Sequence, residues 1–255
     1  MTRSVMSLRF FVNRLPQLFY RPSSLFEWIA AEGGRLWTLP LALITTVTLL
    51  RILINGWLQV RRAAQGEIPL PPDWTYYTPE MQAQYMQAAE ATRNPVFVYV
   101  LPVIMGLVAI WLGWIIISSL LHLTFTMAGG RGTNGSALNL VAWASVPFAL
   151  RELLRVFYLL VTQHPIVSAG LSGFVTETES SGMLFASALL TLVDIFLIWH
   201  IILLVIGAKR TETITTAKSF LVVIFVISLS LITQAGTSYL GSQLGGMMVT
   251  RPFYF

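Results

Sequence analysis

Arg151, Glu152, Arg155, Asp194 and His200 have side chains able to do chemistry and lie within long apolar segments. Each falls in a segment dominated by Leu, Val, Ile, Phe and Ala. A charge placed at the centre of a lipid-embedded helix costs about 3 kcal/mol on insertion scales, so residues of this kind serve function or are paired. Arg151 and Arg155 are four positions apart and share one helix face. Asp194 is expected at a depth similar to Arg151 in the neighbouring segment, and a pair between them would lessen the burial cost of both. Such a layer reads as a clamp that fixes helix packing, or as a path for transport or proton relay. A third reading lets Pro147 break the segment and places the Arg-Glu-Leu-Leu-Arg run at the outer interface. His200, six residues after Asp194, reads as a proton carrier or as a hydrogen-bonded member of the bundle.

Other chemistries find little support. The chain has no cysteine, which removes disulfides, thiolate metal sites and cysteine nucleophiles together. His122, His164 and His200 are scattered without the i, i+4 pairing of a metal site. There is no HExxH, no G-x-S-x-G and no converging Ser/His/Asp set, so no catalytic residue, metal or cofactor is assigned and no enzyme is expected. Gly130-Arg131-Gly132-Thr133-Asn134-Gly135 matches G-x-G-x-x-G, but it joins two apolar segments where a dinucleotide site needs a strand before it. It reads as a tight turn whose glycines supply unusual backbone angles. Arg51, about two turns from the outer end of its segment, can snorkel to the interface. Gly241-x-x-x-Gly245 resembles a helix-packing motif.

The elements that must position these residues follow from composition. Of 255 residues, 55% are hydrophobic and 11% charged, with a mean hydropathy of +0.71. Soluble domains carry about 25% charged residues, so lipid is part of this chain's solvent. Five stretches reach the roughly 20 apolar residues of a span: Leu36 to Leu58, Phe97 to about Leu120, Leu138 to Val161, Met183 to Ile206, and Phe220 to about Leu240. The expected fold is all-α: a polytopic membrane helix bundle with five transmembrane helices and an N-terminal interfacial helix. Residues 1–35 form an arm, 36–240 the membrane domain with an outer loop at 59–96, and 241–255 an external tail. In the arm, Arg9, Phe11 and Arg14 mark an amphipathic helix, ended by Pro16, that suits the headgroup layer or packs against the bundle. Ser24-Leu25-Phe26-Glu27 predicts a capping box for a second helix that stops at Gly33-Gly34. The outer loop carries a Pro-rich stretch, Ile68 to Pro72, then a polar helix from Thr78-Pro79 to about Arg93.

Net charge is +5. The basic residues cluster beside apolar runs, which the positive-inside rule explains and nucleic-acid binding does not. The N-terminal side of the five segments holds nine of them, Arg3, Arg9, Arg14, Arg21, Arg35, Arg131, Lys209, Arg210 and Lys218. The other side holds four, Arg61, Arg62, Arg93 and Arg251. The bias puts the N-terminus in the cytosol and the C-terminus outside. Arginines interrupt the N-terminal stretch, so no cleavable signal peptide is expected.

Two stretches carry a family resemblance. Ala128-Gly129-Gly130-Arg131-Gly132, followed by Ala137 to Pro147 ending Ala142-Trp143-Ala144-Ser145-Val146-Pro147, resembles the Gly-Gly turn and following span of the Yip (Ypt-interacting protein) family. Asp194-Ile195-Phe196-Leu197-Ile198-Trp199 through Gly207, then Thr216-Ala217-Lys218, is similar to a second pattern of that family. Departures are Trp143, where Tyr is usual, and the charged run from Arg151 to Arg155. The resemblance implies five spans and a cytosolic N-terminus. Its eukaryotic members contact Rab-type GTPases through longer cytosolic domains, a role that a 35-residue arm carries over poorly. Prokaryotic relatives look like accessory membrane proteins, some linked to ABC exporters of the macrolide-exporter type.

Together these readings lead to a non-enzymatic accessory or scaffold subunit in the plasma membrane of a prokaryote. Its expected partners are membrane lipids, other integral membrane proteins such as ABC exporter subunits, and further copies of itself, but not nucleic acid. The alternative is a small transporter or channel built on the Arg151/Asp194 layer.

Overall fold

The computed structural model describes residues 13–66, 70, 74–166, 168–175 and 181–247. Arg9, Phe11, most of the Pro-rich stretch and the C-terminal tail from 248 onward lie outside the described residues. Among the described residues every regular element is helical. The α-helices in chain order are α1 (Gln17–Tyr20), α2 (Pro22–Glu32), α3 (Thr38–Ala64), α4 (Pro79–Thr92), α5 (Leu101–Met127), α6 (Asn134–Ala144), α7 (Val146–Thr162), α8 (Ser181–Leu192), α9 (Ile195–Thr211) and α10 (Thr216–Met247), with short 3-10 or π turns at Trp74–Tyr76, Val96–Val100 and Ser172–Phe174.

Among the described residues three stretches are long and apolar enough to cross a membrane: Thr38–Ala64, Val96–Met127 and Thr216–Gly241. A fourth qualifies if α8 and α9, bent by 63° at their junction, cross as one. The third expected span is different. It is two helices, α6 and α7, parted at Ser145, and neither half is long enough to cross alone. Pro147 is the cause: it has no N–H for the Trp143 carbonyl, and its ring would clash with that carbonyl in a continuous helix.

Other local expectations meet similar tests. Thr78 caps α4, its Oγ1 accepting from Met81 N at 3.3 Å, with Pro79 at the first position. The start of α2 is Pro22, not Ser24, and its cap residue Arg21 makes no side-chain capping bond; Ser24 Oγ donates instead to the Arg21 carbonyl at 2.9 Å. The helix stops as expected at Gly33 and Gly34, with φ of +64° and +75°.

The chain divides into two compact units. The first gathers residues 1–46, 110–151 and 193–232. Here α2, α6 and α9 pack on one another. Gly207 on α9 permits this: a Cβ there would strike Leu140 of α6 and the Phe26 ring of α2, both fully buried. Buried Asn139 ties the α2–α3 turn to α6, its Oδ1 accepting from Leu36 N at 3.0 Å and its Nδ2 donating to the Gly34 carbonyl at 2.9 Å. Trp143 Nε1 adds a bond to the Leu36 carbonyl at 3.1 Å. A backbone group that no helix ladder can satisfy thereby finds a partner.

The second unit gathers residues 47–109, 152–192 and 233–255. Within it α3 meets α5 and the π-helical turn Val96–Val100 that precedes it: a Cβ at Gly106 would lie 2.7 Å from Ile52 Cδ1, and one at Gly56 would lie 2.6 Å from the Tyr99 ring. The polar helix α4 belongs to this unit and stacks Tyr85 against Trp74, with ring centroids 5.4 Å apart.

Candidate functional site: two helix breaks and their charges

In the first unit the break between α6 and α7 changes the hydrogen bonding around it. Phe148 N donates to Ser145 O at 2.9 Å, one residue short of the Ala144 carbonyl it would reach in an unbroken helix. Ala144 O is taken instead by His200 Nδ1, at 2.8 Å, from α9. A carbonyl can only accept, so the proton sits on Nδ1 and fixes the tautomer. The His200 side chain is buried, and its ring lies 4.8 Å from that of Phe148.

The second break is built by Asp194. It is not the mid-helix charge that the apolar run around it suggests. Its backbone is extended, and its Oδ1 accepts from Leu197 N at 2.8 Å, so it is the N-cap of α9. The other carboxylate oxygen, Oδ2, takes Arg151 NH1 of α7 at 3.1 Å. The Arg151 guanidinium also lies over the Phe148 ring, 4.7 Å from its centroid. Phe148 is thus flanked by Arg151 and His200, and both contacts from α9 land next to the α6–α7 break. A helix break leaves backbone groups that need partners, and His200 of α9 supplies one for the Ala144 carbonyl.

In the second unit Glu152 is buried and sits between two arginines. It pairs with Arg51 Nε of α3 and with Arg155 NH1 at 2.9 Å, one turn along α7. Arg51 is therefore not a snorkelling residue without a partner. Sequence reasoning passed over it because the matching acid lies on a distant helix.

A further acid in the first unit carries no sequence signal. Glu212, just past α9, is 1% exposed. Its carbonyl accepts from Arg131 N at 3.0 Å, and its Oε1 lies 3.4 Å from Ser136 Oγ. Gly132 is the reason it fits, since a Cβ there would overlap the Glu212 carboxylate. Gly130 lies against the Phe125 carbonyl in the same way: a Cβ there would sit 2.9 Å from the carbonyl oxygen. The glycines of G-x-G-x-x-G thus serve close approach; the positive φ of this turn, +91°, is at Gly129, just before the motif.

Burial raises the Glu212 pKa above its ordinary value of 4.5, against the pull of His122 and of hydrogen bonds from Ser136, Gly132 and Thr211. The folded chain then binds this proton more tightly than the unfolded chain. The contribution is complete below about 4.5 and is lost as pH rises through the raised folded value. The thermal midpoint in detergent is expected to fall as pH rises above 4.5, and Glu212→Gln should flatten that slope. Identical slopes in both proteins would show that Glu212 is not the group responsible.

Of the residues singled out from sequence, the structure brings Arg151, Asp194 and His200 together in one unit and Glu152 with Arg155 in the other. Arg14 lies over the Trp28 ring, 5.1 Å from its centroid, and bonds Gln17 Oε1 at 3.2 Å. Gly241 has open space where a Cβ would be, which gives no support to a packing motif there.

Long apolar helices, two helix breaks and charges matched against each other define a helical membrane protein with interrupted helices. A family model described as the Yip1 domain matches residues 17–236. The chain belongs to the Yip1 family. No curated protein and no solved structure matches it.

Proposed function

We propose that this Yip1-family chain is a non-enzymatic accessory or scaffold subunit that holds other integral membrane proteins, ABC exporter subunits of the macrolide-exporter type among them. One observation carries the reading. The membrane charges are spent on one another: Arg151 on Asp194, and Glu152 on Arg51 and Arg155. Charges committed to pairs hold the broken helices in place, which favours the clamp over a relay. A stiff bundle is what a scaffold requires. Protein purified from its native membrane in mild detergent should carry a stoichiometric membrane partner. Recovery as a bare monomer or homodimer, unchanged by deleting residues 61–94, would overturn the proposal.

The topology proposed with it has five spans, with α6–α7 crossing as one broken span in the plasma membrane of a prokaryote. The N-terminus is cytosolic and the C-terminus external, following the charge bias. The cysteine-free sequence allows a direct test. Single cysteines at Gln65 and Ser172 should react with an impermeant reagent from outside, and cysteines at Ser136 and Thr213 should not. Labelling of positions 136 and 172 from the same face would show that α6–α7 does not cross.

A second reading has its own observation. Broken helices that meet at membrane depth build the binding sites of many transporters, and the His200–Ala144 and Arg151–Asp194 contacts join two such breaks. Ion or solute flux into liposomes containing this protein alone would favour that reading over the scaffold.

A further inference from the structure

We propose that the open cleft between α2 and the α9–α10 turn binds the phosphate of an anionic phospholipid. Its depth is fixed by its neighbours. The bent pair ending in α9 and the stretch opening α10 are both apolar enough to cross a membrane, so the turn at 212–215 lies where the hydrocarbon ends and headgroups begin.

The lining has the chemistry that a phosphate diester recognises. Lys209 and Arg210 are consecutive and exposed in the last turn of α9, and both line the cleft. They offer a point charge and a planar fork of donors, the two modes by which proteins hold phosphate oxygens. Thr213 and Thr215 add hydroxyls. Thr215 Oγ1 accepts from Lys218 N at 3.4 Å, so its own proton remains to be donated. The one acid in the lining, Glu27 of α2, is engaged by Arg210 at 3.1 Å, which leaves the cleft net positive. Cations at a helix end are accounted for by the α9 dipole. That does not account for two hydroxyls and an apolar wall meeting the same cations. The wall, Ala30, Ala31 and Ile214, suits the glycerol and first methylenes of a lipid better than a fully hydrated ion.

The test uses the full chain in mild detergent, with phosphatidylglycerol or phosphatidylcholine added and bound lipid counted by native mass spectrometry. Phosphatidylglycerol should be retained in preference. Lys209→Gln/Arg210→Gln should lower its retention by roughly thirtyfold, each cation near the surface being worth about fivefold. Lys209→Gln alone leaves the Glu27–Arg210 bridge intact and should still lose about fivefold, which separates lipid binding from misfolding. Arg21→Gln/Arg35→Gln removes the same charge from exposed residues outside the cleft and should change retention little. Equal losses in the two double variants would mean diffuse attraction to positive charge, and the proposal would fail. Displacement of the lipid by millimolar inorganic phosphate would assign the cleft to free phosphate and also overturn it.

Discussion

Glu152→Gln is expected to lower folding stability by roughly 3 kcal/mol, the low end of the range for removing one partner of a buried pair. Glu152 has a side chain only 6% exposed and answers two cations, Arg51 and Arg155. A glutamine fills the same volume and leaves both guanidinium groups without the carboxylate. The low end applies because the arginine side chains are 30% and 23% exposed, and their heads can lift toward water. Reversible unfolding in a graded SDS mixture reads the loss. Changing Arg51 and Arg155 to Gln together with Glu152 should restore much of it. If the three single effects simply add in the triple variant, the residues are not coupled and the contact is energetically idle.

Asp194 invites a finer dissection, because it does two jobs with two oxygens. Asp194→Asn keeps a side-chain oxygen for Leu197 N, and Asn caps helices as well as Asp does. It removes only the charge that answers Arg151, and a loss of about 3 kcal/mol is expected. Asp194→Ala removes the cap too and should cost about 1 kcal/mol more. Pairing Asp194→Asn with Arg151→Gln should recover most of the ion-pair loss, whereas pairing Asp194→Ala with Arg151→Gln should still lack the cap and remain about 1 kcal/mol less stable. If Asn matches the wild type within about 0.5 kcal/mol in SDS unfolding, the ion pair contributes nothing and Asp194 serves as a cap alone.

The all-helical membrane character was legible because it is a sum over long stretches. Thr38–Ala64, Val96–Met127 and Thr216–Gly241 each announce themselves whatever their tertiary partners are. Caps written in adjacent residues were legible too, as at Thr78-Pro79 and Gly33-Gly34. Asp194 shows where this stops. An Asp before an apolar run is a helix-start signal, but inside a longer apolar run it reads as a charge to be neutralised, and the two readings predict different backbones. Only the extended conformation at 194 separates them. Pro147 carried its signal openly, yet the long apolar stretch around it argued for a continuous span. The partners of Arg51 and the burial of Glu212 depend on helices brought together by folding, and no local pattern encodes them.

The pairing of Arg151 with Asp194 bears on how the proposed topology would be reached during synthesis. The carboxylate is made 43 residues after the guanidinium. When α7 leaves the ribosome it is short, charged and preceded by a proline break, so it is a poor substrate for insertion by itself. Glu152 already has Arg51 upstream, but Arg151 must await α9. On the five-span topology proposed above, the segments from α6 to α9 are expected to enter as one cooperative unit, with α7 held at the water–lipid boundary until Asp194 arrives. Truncating the nascent chain before residue 194 should leave α7 at that boundary, because the truncated chain lacks the carboxylate that Arg151 meets at 3.1 Å in the folded protein.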